Sequence, residues 1–478
     1  DVGRTFDVEW DDFSGGYWLG TNNLTQPRNT WRGDNVIVAY QDGTLMPGPV
    51  LTDVEAVSAW RFGASRFPDP AASAIDSLWH EDSGSDILVK VNGTTITTLV
   101  GATKNGLHAK RIAAYAGNRA VFGAFTQAGV PKVTVVNYNT NTFSTHDVPV
   151  EFGQLQTWGD FVVAAYLNRI HYCAPGDPTS WNANDYYDVG DATISCFADT
   201  PSGLLIGTPT GWFMGSGVLG STFTLRRLNT TSAPIFPGSV VDSSLGYLFR
   251  SGDALWAVRG TQAEPVAYDT TDGFGFARTV GPDFAAMSCP GGAFIYSEAT
   301  RQWRKITARA GYDLEPHDGY AAEPLLYFID SDGTSTLAPS ARLRSYAHSP
   351  TVFQTNGSQF AQATVTLAEF ESRDPFVVQD VFVEVDCGVS SNNYTRSVTL
   401  QLTNLTRPVD FLSGVAPTQA EPPSATDALP AMSSTAGEKF MLRFGQPLSG
   451  DVFAFAPRIT MRGVKVRRVI ARCREVGS

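Results

Sequence analysis

The stretch Leu155-Gln156-Thr157-Trp158-Gly159-Asp160-Phe161-Val162-Val163-Ala164-Ala165-Tyr166-Leu167 holds an apolar strand, a tight polar turn and a second apolar strand. Glycine and aspartate suit such a turn: one tolerates positive φ, and the other bonds its own backbone. The same unit recurs on both sides. Residues 112–115 turn at Gly117-Asn118 into 120–125, and 196–198 turn at 201–203 into 204–207. Val240-Val241 turns at 242–244 into 245–249. Successive units lie roughly 35–45 residues apart, the period of a four-stranded propeller blade. They start near Ser77, Lys110, Leu155, Ile194, Val240, Phe284 and Leu325. Residues 87–91 and 95–100, joined at Asn92-Gly93, form the clearest hairpin of the first unit.

Composition agrees with that pattern. Charged residues make up only 17% of the 478, against 45 Gly and 28 Pro, a balance that favours strands and turns over helices. The best helical stretch, 70–78, spans about two turns. The expected fold class is all-β: a six- or seven-bladed β-propeller with an N-terminal extended arm and a C-terminal antiparallel β-sandwich.

Three regions are expected. Residues 1–51 read as an arm plus a ring-closing strand drawn from 36–40 and 50–51. Trp10, Phe13, Tyr17, Trp18 and Trp31, set among Gly, Asn and Asp, read as aromatics that dock on something larger. Residues 52–345 hold the propeller. Residues 346–478 alternate as sandwich strands do: Val381, Val383 and Val385 share one face, and Phe382, Glu384 and Asp386 the other. Inside that region 413–438 is rich in Pro, Ala, Ser and Thr and reads as a long surface loop or an arm that orders on a neighbouring subunit.

The net charge of −12 argues against gripping nucleic acid over the whole surface, while like charge suits a path through which DNA slides. Five scattered cysteines without a C-x-x-C read as buried thiols, neither a disulfide framework nor a zinc site. No run reaches the ~18–20 apolar residues of a membrane helix, and the opening Asp1-Val2-Gly3-Arg4 does not read as a signal peptide. Six N-x-S/T sites, the first at Asn23, read as unused in a chain without paired cysteines.

Candidate chemistry is sparse. Glu369, Glu371 and Asp374 near a strand end, and the cluster Glu9, Asp11 and Asp12, read as solvated carboxylates. Asp185, Asp188 and Asp191, like Asp330-x-Asp332-Gly333, read as turn chemistry, since calcium takes six to eight oxygens. His171 and Cys173 share a strand face but have no third, orienting residue. Arg32-Gly33-Asp34 matches an integrin-binding tripeptide by chance. There is no phosphate loop, G-x-S-x-G elbow or H-E-x-x-H. No catalytic residue, metal site or cofactor is expected. The last strand is densely basic, with Arg458, Arg462, Lys465, Arg467, Arg468, Arg472 and Arg474. It reads as an edge strand guarded by charge or as a contact for an acidic partner surface or for phosphate. A second functional reading is a carbohydrate-binding propeller for host receptor recognition, with Trp181, Tyr186, Tyr187 and Trp303 stacking on sugar faces.

Several stretches together resemble the hub, nozzle and minor tail proteins of tailed bacteriophages. One is Asp11-Asp12-Phe13-Ser14-Gly15-Gly16 with Asn22-Asn23 and Gly43-Thr44-Leu45. Another is Gly176-Asp177-Pro178-Thr179-Ser180-Trp181 running to Tyr187-Asp188-Val189-Gly190, a segment that in this family links two blades. The third is the basic closing strand, 464–472. The resemblance implies a non-enzymatic virion protein of the tail. It implies a ring of copies, six-fold favoured, with other tail proteins as partners and DNA passing through without sequence-specific binding. The aromatic arm and Arg462, Lys465, Arg467, Arg468 and Arg472 would form the assembly interface.

Overall fold

In the computed structural model the described residues are 4–19, 26–38, 43–48, 51–56, 60–68, 75–81, 87–92, 95–103, 113–116, 119–137, 140, 142–190, 192–229, 240–251, 254–260, 262–267, 277–279, 284–289, 291–298, 300–308, 313–317, 325–331, 342–347, 355–356, 359–387, 396–404, 425–428, 439–445 and 452–476. Among them the chain is all-β, with no helix. It divides into two compact units: Leu51–Glu298 with Ala308–Tyr346, and Asp1–Val50 with Ala299–Thr307 and Ala347–Ser478.

The first unit is propeller-like, a run of small antiparallel meanders in chain order. The hairpin read from 155–167 forms as Gln154–Trp158 against Phe161–Tyr166, with Trp158 opposite Phe161 across the turn. Arg169–Ala174 and Asp177–Asp188 complete that sheet. Cys196–Thr200, Gly203–Thr208, Gly211–Ser216 and Thr224–Asn229 build the next. Gly203 holds φ +137 there, and a Cβ would run into the backbone of Gly215, so only glycine turns this corner without strain. Phe161, Val163, Ile170, Phe197, Leu204 and Ile206 close a shared core between these two sheets. The first strands of successive sheets approach one another, Ala113–Ala116 meeting Gln154–Trp158 and that strand meeting Cys196–Thr200.

Three expectations change here. The stretch 70–78, read as helical, contains the start of the strand Ile75–Glu81, paired on both sides. The segment read as a link between blades is the outer strand Asp177–Asp188. The strand that the N-terminal side lends to the last sheet is Leu51–Ala56, antiparallel to Arg342–Ala347. Val36–Val38 instead pairs with Leu45–Pro47 in the other unit.

The second unit is built around the 17-residue strand Phe370–Asp386. Phe376 and Val378 are buried, and so are Val381, Val383 and Val385, which have the opposite parity. The register against Lys465–Glu475 shifts between Val378 and Asp380, placing an extra residue at Gln379. A one-residue bulge exchanges the two faces of a strand, so the apolar phase changes with it. A second shift, between Glu384 and Val385, does the same on the partner strand, where Val466 and Val469 are both buried. Phe455, with no exposed surface, lies 5.8 Å from the ring of Trp10, 5.8 Å from Phe376 and 6.0 Å from Phe370. Burying such side chains is worth about 1.5–3 kcal/mol each. Within the stretch read as a loop at 413–438, Ala425–Ala428 is a strand against Ser397–Leu400, and the rest lies outside the described residues.

Candidate functional site

The aromatic arm is consumed by its own unit. Trp10, Phe13 and Trp31 are buried in the core that contains Val383 and Phe455, and Trp10 Nε1 donates to the Ala368 carbonyl at 3.0 Å. Tyr17 packs edge-on against Trp31 at 6.0 Å, and the Trp18 amide donates to the Trp31 carbonyl. Trp10, Phe13 and Trp31 therefore offer no face to a neighbouring subunit, while Tyr17 and Trp18 are half-buried. The apolar spacing of the arm was legible; the core it enters, formed by strands more than 300 positions away, was not.

The basic strand is also corrected. Lys465–Glu475 is no edge: Thr5–Trp10 pairs on one side and Phe370–Asp386 on the other. Three of its four arginines meet carboxylates within the chain. Arg467 lies 3.7 Å from Glu384 and from Asp386, Arg468 lies 3.3 Å from Glu384, and Arg472 lies 3.1 Å from Asp7. Arg462 Nη2 donates to Gln362 Oε1. Lys465 is half-buried opposite Asp386.

The expected sugar-stacking rings are engaged as well. Trp303 is buried and offers no face. Trp181 packs on Phe152 at 4.7 Å and donates to the Pro178 carbonyl. Tyr187 lies against Tyr172 and Phe223, and Tyr186 against His171 with the Arg169 guanidinium 4.3 Å from its ring centre. His171 and Cys173 are both buried, and burial pushes the Cys173 thiol up to about 11, far from a thiolate at neutral pH. Arg32-Gly33-Asp34 lies in the paired strand Thr30–Asp34 rather than on a loop tip. Asp332 and Asp191 lie outside the described residues.

One concave feature of the second unit gathers polar and cationic side chains, and sequence reading missed it. It is a cleft of about 650 Å³ whose lining includes Tyr17, Arg32, Asn35, Lys305, Gln362 and Arg458. Register explains it. Arg32 stands opposite Thr366, and Thr366 opposite Arg458, so two guanidinium-bearing positions flank one threonine across three strands. Lys305 stands beside the next row in a parallel pairing with Asp34, whose own antiparallel partner is Thr364. The intervening Ala363, Val365 and Leu367 are buried, which leaves Gln362, Thr364 and Thr366 on the outward face. Asn35, at φ +56, is held by its Oδ1, which accepts from the Thr307 amide at 3.2 Å. Burial pushes the Arg32 pKa down, with nearby Tyr17 opposing. Three cationic side chains and no carboxylate are among the described lining residues.

No protein-family profile and no curated protein matches the chain. Solved structures that resemble it include BBS1N in complex with ARL6DN, at 12% identity, TM-score 0.45, covering 62% of this chain and 97% of that one. An acylaminoacyl peptidase matches at 8% identity, TM-score 0.40, with 64% and 58% covered. An exo-beta-1,3-galactanase from Phanerochaete chrysosporium matches at 9% identity, TM-score 0.29, with 88% and 99% covered. Likenesses this distant carry no argument about what the chain does.

Proposed function

We propose that the chain is a non-enzymatic structural component of a bacteriophage tail: a hub, nozzle or minor tail protein. In this reading its first unit is a seven-bladed propeller, counting the three strands in 277–297 as one blade and Leu51–Ala56 as the closing strand of the last. The other unit is an antiparallel sandwich that absorbs the N-terminal arm. Copies assemble as a ring, six-fold favoured, around the DNA exit path or at the tail tip in the virion.

The observation that carries the reading is the ordered set of tail-protein-like stretches at 11–16, 176–190 and 464–472. The acidic net charge of −12 suits a passage for DNA, and the paucity of charge suits a surface covered by neighbours. With the arm and most of the closing arginines engaged inside the chain, the interface falls to other surfaces. Among the described residues, exposed Arg458 and Arg474 and the exposed apolar Val130, Leu167, Val218 and Met441 are groups such an interface can use. Negative-stain electron microscopy and native mass spectrometry of the purified protein test this. Closed rings of defined order are expected, alone or on addition of the other tail proteins. A strict monomer under both conditions overturns it.

A further inference from the structure

The strand Lys439–Gly445 is an open edge of its sheet. Phe370–Asp386 pairs with it on one side, from Asp380↔Gly445 to Asp386↔Lys439 without a shift, and among the described residues no strand pairs on the other. An edge strand is a template for a further strand, and chains commonly blunt it with proline, a bulge or unpaired charge. This one, seven residues long, has neither proline nor bulge, and its cations face carboxylates of its own sheet. Arg443 grips Asp380 with two bonds, at 2.9 and 3.0 Å, and Lys439 stands opposite Asp386. Leu442 and Phe444 are buried, while Met441 keeps 49% of its surface exposed. On the same outward face, half-buried Phe382 stands between Arg443 and half-buried Ile470.

We propose that this edge joins a second copy of the chain, strand antiparallel to strand, about a two-fold axis through Leu442. Charge selects that register. Full overlap of the seven residues sets Lys439 opposite Gly445 of the second copy and Met441 opposite its Arg443, so no cation faces a cation. Sliding the copies by two residues one way sets Arg443 opposite Arg443, and the other way sets Lys439 opposite Arg443. A slide by a single residue turns the buried row outward. In the centred register the outer neighbours are complementary as well. Glu384 lies beside Met441 in its own sheet, so it stands two strands from Arg443 of the second copy. Asp380 lies beside Gly445, which has no side chain to block Lys439 of the second copy. Positions two strands apart are about 10 Å apart, a gap that a lysine and an aspartate side chain close between them. An edge that matches itself in both length and charge fits a second copy better than an unrelated strand. A two-fold contact closes at two copies, whereas a ring needs a head-to-tail contact. The proposal therefore goes beyond the tail reading and is tested apart from it.

Sedimentation velocity of the full chain over a concentration series, with hydrogen exchange across 439–445, decides it. A concentration-dependent dimer is expected, with amides of 439–445 gaining protection as it forms. Met441→Arg is accommodated beside Glu384 in the single chain but faces Arg443 of the second copy twice, once on each side of the two-fold axis. It is expected to weaken the dimer by about tenfold or more with the thermal midpoint unchanged. Adding Arg443→Met to that variant exchanges the two groups, removes the like-charge pairs and is expected to restore the dimer. Should the double variant fail to fold, Met441→Lys carries the test, with the same loss expected. The proposal is overturned if the wild type stays monomeric at every concentration or associates without protecting 439–445. It is equally overturned if a folded Met441→Arg or Met441→Lys protein dimerises undiminished, or if the folded double variant is no better than Met441→Arg alone. Failure to form rings would overturn the tail reading only, since the two-fold contact needs no ring.

Discussion

His171 sits on the strand Arg169–Ala174 with 3% of its surface exposed, and neither ring nitrogen has a hydrogen-bond partner among the described residues. Phe152, Tyr166 and Tyr186 surround it, with ring centres 5.4–6.4 Å away. Burial pushes its pKa down, nearby Arg169 pushes the same way, and Asp188 opposes. The folded state therefore binds a proton less readily than the unfolded chain. Stability from this site is complete above about pH 6.5, the unfolded value, and declines as pH falls toward the lowered folded value. Chemical denaturation between pH 7.5 and 5 should show wild-type stability falling more steeply than that of His171→Phe. Equal slopes would remove His171 as the cause. The residue pattern revealed that His171 and Cys173 share a face. It could not reveal that the face is interior, because that depends on Phe152 and Tyr186 closing over it.

At the scale of elements, the bulge at Gln379 sets the apolar phase of the longest strand. A deletion and an insertion separate the bulge from the apolar phase. Deleting Gln379 gives the two halves of Phe370–Asp386 one parity, so an unbulged strand keeps Phe376, Val378, Val381, Val383 and Val385 on one face. The deletion is expected to give soluble protein with a cooperative unfolding transition on denaturation, whereas an alanine inserted between Val381 and Phe382 turns Val383 and Val385 outward and is expected to abolish that transition. An insoluble deletion product would show that the bulge itself, and not only the apolar phase, is required. The alternation at 381–386 was plain in the sequence. The bulge was not, since no turn residue marks it and only the pairing with Val378↔Cys473 and Asp380↔Arg472 exposes it. The hairpins at 87–103 and 154–166 were legible because their turns and alternating runs lie within a few residues of each other.

For the whole molecule, the N-terminal strand is the cover of a sheet edge. Thr5–Trp10 pairs with Lys465–Glu475 along its full length, Val8 and Trp10 enter the core, and Phe6 meets Phe370 and Phe376. Removing residues 1–10 uncovers the hydrogen-bonding edge of Lys465–Glu475 and empties two core positions. The truncated protein is expected to unfold at lower temperature and to aggregate with rising concentration, read by calorimetry and light scattering. An unchanged midpoint would mean the arm is accessory after all. The Asp7–Arg472 ion pair, at the surface, contributes little beside that burial and is screened by salt.

The sequence by itself determined the class of fold. Turn chemistry and two-residue alternation act over a handful of positions, and they dictate hairpins wherever they occur. Tertiary structure alone decided the partners. Trp10 bonds Ala368, Ser14 accepts from Gln302, and Asp7 meets Arg472, each across hundreds of residues. It also decided that the basic strand is interior to its sheet and that Arg32, Thr366 and Arg458 share one row. Such neighbours are chosen by which faces must be buried together, a condition imposed by the whole core and written in no single segment.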